Sequence, residues 1–209
     1  MTTTNKEAEA ALTKGINAGK NKDFDSAIIN FTKAIKLDPK HAGAYYNRGY
    51  TYSKLKKYPE AIADLTKAIK LDPKHAFAYY NRGNAYSNLA KYPEAIADFT
   101  KAIKLDPKHA GAYYNRGNAY SNSEKYPEAI ADFTKAIKLD PSDAGAYCNR
   151  GNVYCNLEKY PEAIADFTKA IKLDPKLSFA YHGRGIAYES MGKTKKAEAD
   201  FAKFNLLSN

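Results

Sequence analysis

Two kinds of hydrophobic pattern alternate along the chain, and each has the period of an α-helix. In the first pattern Tyr79, Gly83 and Tyr86 share one face, because each residue turns a helix by about 100°. In the second, apolar residues form one stripe and lysines lie opposite. One such stripe consists of Ala61, Ile62, Leu65, Ala68 and Ile69. The alternation predicts pairs of amphipathic helices and an all-α protein.

The whole pattern repeats every 34 residues, since the octapeptide TKAIKLDP recurs with that spacing along the chain. A period of about 20 to 50 residues is typical of solenoids, whose units bury their apolar faces only by stacking. The period predicts a cap at 1–7 and one domain at 8–209. Its six units are 8–41, 42–75, 76–109, 110–143, 144–177 and the shortened 178–209.

Proline marks where the second helix of each unit begins and ends. It occupies the eighteenth position of four units. Proline suits the first turn of a helix, because a backbone N–H there would have no acceptor within the helix. These residues are Pro59, Pro93, Pro127 and Pro161. A second proline, as in Asp72-Pro73, closes the same helix. Each unit is therefore predicted to be a helical hairpin.

From Ala8 onward the chain resembles the tetratricopeptide repeat (TPR) family. The residues of one unit that match the family pattern are Tyr79, Tyr80, Gly83, Tyr86, Tyr92, Ala95, Phe99, Ala102 and Pro107. The resemblance implies a right-handed α-solenoid of stacked antiparallel helix hairpins, a TPR superhelix. It also implies an adaptor that binds other proteins on a concave surface lined by the first helices.

A stripe of asparagines lies opposite the packing face of the first helices, at positions 6, 9 and 13 of the units. It comprises Asn47, Asn81, Asn84, Asn88, Asn115, Asn118, Asn122, Asn149, Asn152 and Asn156. A carboxamide offers both donors and an acceptor to an extended peptide backbone. The stripe predicts a peptide-binding groove, with the alternative that these asparagines are only a soluble surface copied by duplication.

Aromatic residues flank this stripe and are candidate peptide anchors, because a tyrosine combines a stiff ring with a polar tip. They are Tyr46, Tyr80 and Tyr114 at position 5 and Phe77 at position 2. The alternative is that the tyrosines only cover the flank of the hairpin.

Arginine at position 7 and aspartate at position 23 occur together within a unit. The five pairs are Arg48 with Asp64, Arg82 with Asp98, Arg116 with Asp132, Arg150 with Asp166 and Arg184 with Asp200. The first unit has Lys14 and Asn30 instead. This joint change predicts a structural ion pair between the two helices of one hairpin. The alternative is an arginine row that binds phosphate.

The net charge of +10 comes largely from lysines of the second helices, such as Lys67, Lys70 and Lys74. They are expected on the convex face, where they solvate and stabilise the helices. The alternative is a weak anionic partner, namely nucleic acid, anionic lipid or an acidic protein.

Several function classes fit the sequence poorly. The family's clamp for the acidic C-terminal tail of chaperones needs lysine or another cation where this chain has Tyr80, Gly145 and Asn149. No catalytic constellation or cofactor motif emerges, so we expect a non-enzyme without cofactors. His41 and His75 recur one per repeat and cannot converge on a metal, so no metal site is expected.

The remaining expectations concern location and self-association. No export or anchoring signal is evident, and Cys148 and Cys155 look like free thiols, which favours the cytoplasm. Phe204 replaces a small alanine in the last unit, and Leu206 and Leu207 follow it. The alternative function is therefore a self-assembling or anion-binding scaffold that uses an apolar C-terminal face and the basic convex face.

Overall fold

The structure is a computed structural model that describes residues 3–208. Within that range the chain forms twelve α-helices and no β-strand, and they pair as antiparallel hairpins, so the predicted all-α fold class is confirmed. The helices are α1 (Thr3–Lys20), α2 (Phe24–Leu37), α3 (Ala42–Lys54), α4 (Tyr58–Leu71), α5 (Ala76–Asn88), α6 (Tyr92–Leu105), α7 (Ala110–Asn122), α8 (Tyr126–Leu139), α9 (Ala144–Asn156), α10 (Tyr160–Leu173), α11 (Ser178–Ser190) and α12 (Thr194–Ser208).

The chain divides into two compact units, Met1–Pro107 and Lys108–Asn209, which contain α1–α6 and α7–α12. Inside each unit, the second helix of a hairpin packs against the first helix of the following hairpin. Successive first helices also contact each other, as α3 does with α5 and α9 with α11. The first helices of a unit therefore form one layer and the second helices another.

The second helices begin and end at residues suited to those positions. Helix α4 begins at Tyr58, one residue before the start predicted at Pro59, so the proline is the second residue of the helix. At its end, the Asp72 carboxylate accepts the backbone N–H of Lys74 at 3.0 Å, which turns the chain toward the next hairpin. Glu60 in the first turn and Lys70 in the last complement the helix dipole.

Side chains of the preceding residue cap most of the first helices. His41, His75 and His109 precede α3, α5 and α7, and in each the ring Nδ1 accepts a backbone N–H at 3.2 to 3.3 Å. Before α9 the same bond is made by a carboxylate oxygen of Asp143, at 3.2 Å. Leu177 precedes α11 and supplies no side-chain cap. The recurring histidines are therefore structural caps whose lone pair on Nδ1 must be free of a proton.

A left-handed residue forms the turn inside each hairpin. The residues with φ between 56° and 68° are Lys22, Lys56, Ala90, Glu124, Glu158 and Gly192. Only the last is a glycine, which adopts this conformation without steric cost. The other five hairpins therefore carry local strain that their helix packing offsets.

In five of the six hairpins a phenylalanine of the second helix packs against a glycine of the first, and in the second hairpin Leu65 packs against Gly49. Phe31 is 2% exposed, and a Cβ added at Gly15 would lie 2.5 Å from its ring. The same clash would arise at 3.0 Å between Gly151 and the fully buried Phe167. The absence of a side chain at this position therefore sets how closely the two helices approach.

Two glycines of α1 provide a matched test of this close approach. Gly15→Ala should lower the free energy of unfolding by about 1–3 kcal/mol, because the buried Phe31 ring cannot move aside. Gly19→Ala should raise it by up to about 1 kcal/mol, since the nearest atom to the new methyl is 3.9 Å away and alanine favours helix. Urea unfolding followed by circular dichroism measures both, and equal effects of the two substitutions would contradict the packing argument.

The histidine caps predict a loss of stability when the acceptor is removed. His75→Ala leaves the Ala78 N–H at the start of α5 without its side-chain acceptor and should lower the free energy of unfolding by about 0.5–2 kcal/mol. His75→Asp supplies the carboxylate that already caps α9 at Asp143, so it should keep most of the stability. Urea unfolding followed by circular dichroism measures both variants, and equal losses in the two would rule out the capping role.

Candidate functional site

A tyrosine and an asparagine link neighbouring first helices in the unit 1–107. The Asn81 side chain on α5 donates from Nδ2 to the Tyr46 hydroxyl on α3 at 3.1 Å. Asn81 is only 9% exposed, which differs from the expectation that the whole stripe lies on an open face. Burial raises the pKa of the Tyr46 phenol, so the hydroxyl stays neutral. Tyr46 and Asn81 therefore hold α3 and α5 together.

The unit 108–209 contains the same link with one addition. Asn149 on α9 donates from Nδ2 to the Tyr114 hydroxyl at 2.9 Å and to Asn118 Oδ1 at 2.8 Å, both on α7. Since an amide nitrogen carries two hydrogens, both donors of Asn149 are occupied. The Oδ1 atom of Asn149 and the amide nitrogen of Asn118 are the groups that this link leaves for contact with a ligand.

Other asparagines of the stripe bond to their own helix or to the preceding hairpin. Asn47 donates to the Gly43 carbonyl at 2.7 Å. Asn88 donates to the Asn84 carbonyl at 2.8 Å and accepts the Tyr58 hydroxyl at 3.1 Å. These contacts fix the side-chain rotamers, so this part of the stripe is ordered before any ligand arrives.

The remaining candidates occupy intermediate or exposed positions. Asn84, Asn115 and Tyr80 are half-buried, and the Tyr80 ring lies 6.0 Å from that of Phe99. Phe77 on α5 is 52% exposed. Asn156 on α9 is exposed as well.

Four of the predicted asparagines come together at a cavity of about 400 Å³ in the unit 108–209. The residues around it are Asn118, Ser121, Asn122, Phe133, Asn149 and Asn152. Five of the six offer a polar side chain, and the exposed Asn152 stands at its edge. The stripe is thus concave here and rich in donors and acceptors.

A second cavity of about 400 Å³ shares Asn149 and Asn152 with the first and continues toward α11. Its other lining residues are Tyr114, Gly145, Cys148, Leu177, Phe179, His182, Gly183 and Ile186. Leu177 and Ile186 do not follow from the asparagine pattern. Both residues could have been identified because they depart from the repeat. Leu177 replaces a capping histidine or aspartate, and Ile186 replaces the asparagine at position 9.

The five predicted ion pairs all form inside their hairpins. In each, the arginine Nε lies 2.7 to 2.8 Å from an aspartate oxygen, and the second carboxylate oxygen accepts from Nη2 in a two-bond fork. The aspartate side chains are 7 to 9% exposed and the arginine side chains 16 to 18%. This bidentate geometry is the strong form of an Arg–carboxylate contact.

The guanidinium also reaches the preceding hairpin, a contact that the repeat pattern does not predict. Arg48, Arg82, Arg150 and Arg184 donate from Nη1 to Thr32, Thr66, Thr134 and Thr168 at 2.8 to 3.0 Å. The hydrogen bond to aspartate raises the pKa of each arginine, against the effect of burial, so the guanidinium is charged throughout. We call this arrangement of arginine, aspartate and threonine the arginine staple.

Tyrosine rings enclose the arginine of the staple. The Arg150 guanidinium lies 5.8 Å from the Tyr147 ring centre and 6.0 Å from that of Tyr154. The tyrosine rings cover the faces of the guanidinium by cation–π contacts, and its N–H groups already donate to Asp166 and Thr134. A phosphate would have to displace the aspartate to bind there, so the geometry favours the structural interpretation.

Apolar side chains cluster on α12 and on the facing part of α11. The rings of Phe179 and Phe204 lie 6.4 Å apart, and that of His182 lies 4.7 Å from Phe204. Leu206 is 70% exposed. This is the apolar surface that the sequence predicts for the last hairpin.

Burial raises the pKa of the Cys148 thiol to about 11, which leaves it protonated and a weak nucleophile.

Within residues 3–208, no helix has the length and apolar character needed to cross a membrane.

Family models for the tetratricopeptide repeat match most of the chain. One matches residues 42–75, 76–109, 110–143 and 144–177, which are the bounds that the period predicts. A TPR repeat model matches 20–56, and a further tetratricopeptide repeat model matches 167–199. A search of the curated proteins found no match.

Solved structures of other repeat proteins are similar to this chain. MamA protein is 30% identical, with 81% of this chain and 93% of MamA covered and a TM-score of 0.76. YrrB, described as a TPR protein with an unusual peptide-binding site, is 28% identical, with 85% and 91% covered and a TM-score of 0.73. A tetratricopeptide repeat protein from Parabacteroides merdae is 25% identical, with 98% and 81% covered and a TM-score of 0.83.

The arginine staple predicts a large loss of stability when one partner is removed. Asp166→Ala should lower the free energy of unfolding by about 2–4 kcal/mol, because Arg150 keeps its charge without its fork partner. Adding Arg150→Leu should recover part of that loss, since leucine needs no partner and packs against the tyrosines. Urea unfolding of both variants measures this.

The control for this measurement is Glu162→Ala, which removes an exposed carboxylate from the same helix α10. It should change stability by less than about 1 kcal/mol. If Asp166→Ala changed the free energy of unfolding no more than this control, the arginine staple would not stabilise the fold.

Proposed function

Because the chain belongs to the tetratricopeptide repeat family, we propose that it is an interaction scaffold whose asparagine stripe binds an extended peptide segment of a partner protein. The proposal assigns it a binding role rather than a catalytic one. Its first helices form the binding layer, and the unit 108–209 supplies a concave part of the groove.

The single observation that carries the proposal is the cavity lined by Asn118, Asn149 and Asn152. An extended backbone presents alternating N–H and C=O groups that protein groups must satisfy when it is bound. Both amide hydrogens of Asn149 are already bonded, so this residue offers a ligand its Oδ1 as an acceptor of an N–H. The exposed Asn152 offers both a donor and an acceptor. The site therefore matches a peptide backbone and makes little demand on side-chain sequence.

Preorganisation strengthens the proposal. Immobilising a rotamer-rich side chain on binding costs about 0.5–1.5 kcal/mol, and the bonds from Asn149 to Tyr114 and Asn118 remove that cost in advance. The similarity to YrrB, whose description includes a peptide-binding site, supports the same class of ligand.

The same geometry argues against an acidic ligand in this groove. The residues around the two cavities include no lysine or arginine. A carboxylate placed there would lose water without gaining a charged partner. A chaperone C-terminal tail is therefore a poor candidate, and uncharged segments are favoured.

Self-association is a second candidate function, because Leu206 is 70% exposed and Phe179, on the facing helix α11, is 69% exposed. An apolar surface of this kind on a small protein is often covered by another chain. Light scattering across a range of concentrations tests this candidate: a strictly monomeric chain would exclude it, and Leu206→Lys should abolish any dimer that forms.

The peptide-binding proposal predicts that amide groups of the groove carry the affinity. Random twelve-residue peptides displayed on phage and selected against the full chain supply the probes. Asn118→Ala combined with Asn152→Ala should weaken the selected peptides about tenfold, equivalent to about 1.4 kcal/mol. Fluorescence anisotropy with the labelled peptides measures the change.

Asn205→Ala on α12 is the matched control, since it removes an exposed asparagine outside the groove and should leave affinity unchanged. Raising NaCl from about 0.05 M to about 0.5 M should also have little effect, because neutral amides make the contacts. Unchanged affinity in the double variant, or binding that disappears in salt, would contradict the proposal.

A further inference from the structure

The asparagine stripe ends abruptly at the last hairpin, and an apolar surface takes its place. Position 9, which is Asn118 on α7 and Asn152 on α9, is Ile186 on α11. Position 6, which is Asn149 on α9, is Gly183 on α11. A Cβ at residue 183 would lie 2.4 Å from the buried Phe167 ring, so no amide fits there. Backbone recognition by asparagine therefore stops at α9.

The surface that replaces the stripe is concave and open. The cavity next to Asn149 and Asn152 measures about 400 Å³, and Leu177 and Ile186 line it together with Phe179. Phe179 is 69% exposed and Ile186 is 39% exposed. A volume of this size lies within the range of about 300–1,000 Å³ that is typical of ligand sites. There is room for a large side chain.

The chemistry of the lining selects what kind of side chain enters. Among the described residues around this cavity there is no aspartate, glutamate, lysine or arginine. Burying a charged group there would cost its hydration with no ion to pair with it, whereas burying apolar surface is favourable by about 25 cal/mol per Å². An uncharged aliphatic or aromatic side chain is the occupant that the lining fits.

The two cavities are adjacent, since Asn149 and Asn152 line both. A ligand whose backbone is held by these amides thus has its next side chains beside Leu177, Phe179 and Ile186. Resting on the proposed peptide-binding function, we infer that residues 108–209 select an extended, uncharged segment carrying one bulky aliphatic or aromatic residue. That residue enters the cavity between α9 and α11 and sets the register of the segment.

The chain's own repeats supply the variants for a test. Phe179→Gly and Ile186→Asn together give α11 the residues found at the same positions of α7 and α9, Gly111 with Asn118 and Gly145 with Asn152. Both replaced side chains are exposed, so the fold is expected to persist, and circular dichroism checks that it does. Peptides selected on the full chain are then resynthesised with leucine, phenylalanine, glycine or aspartate at the position of the conserved apolar residue.

The parent chain should bind the leucine or phenylalanine peptide at least about tenfold more tightly than the glycine peptide, and the aspartate peptide least of all. In the Phe179→Gly/Ile186→Asn variant this preference should disappear, while the glycine peptide binds at least as tightly as it does to the parent chain. A selection that yields no conserved apolar residue, or a preference that survives in the variant, overturns the inference.

These outcomes are separate from those that test the proposed function. If Asn118→Ala/Asn152→Ala weakens every peptide equally while no apolar preference exists, peptide binding stands and the apolar site fails. If that double variant binds like the parent chain, the proposed function fails. A charged variant gives an independent test. In Ile186→Asp the order of peptide affinities should reverse, so that a peptide with arginine in place of the apolar residue binds more tightly than the leucine peptide.

Discussion

The guanidinium group of the arginine staple determines how neighbouring helices are placed. Arg150 projects from a first helix, binds Asp166 on its own second helix with a two-bond fork, and donates to Thr134 on the second helix of the preceding hairpin. One rigid, planar group thus fixes three helices at once. Because a charged group this deep must keep its partners, few other arrangements of the three helices satisfy it.

The binding layer inherits its regularity from that constraint. With glycine facing a large apolar side chain inside each hairpin and arginine between hairpins, consecutive first helices lie close enough for Tyr46 to reach Asn81 and Tyr114 to reach Asn149. The distance between those helices is what turns separate side chains into an organised polar surface. The asparagine stripe is therefore held in place by groups on the opposite side of the first helices.

Residue patterns were sufficient for those features that depend on one hairpin. The period places the repeat bounds, and the joint change at Lys14 and Asn30 identifies the Arg–Asp partners. Features between hairpins were not predictable in this way. The burial of Asn81 and the threonine contact of Arg150 depend on how far apart two helices lie, which helical angles alone do not specify. Leu177 and Ile186 were not predicted because they depart from the repeat, and the period indicates only the residues that recur.

Under the proposed function, repetition has a consequence for the motion of a bound peptide. In the unit 108–209, Asn118 and Asn152 occupy the same position of two successive repeats. A segment of uniform sequence would then have bound positions of nearly equal energy and would exchange among them without a defined alignment. Ile186 occupies that position on α11, so one site along the groove differs from the others. A single departure from the repeat would thus fix the alignment of a segment that the repeated positions alone leave free to shift.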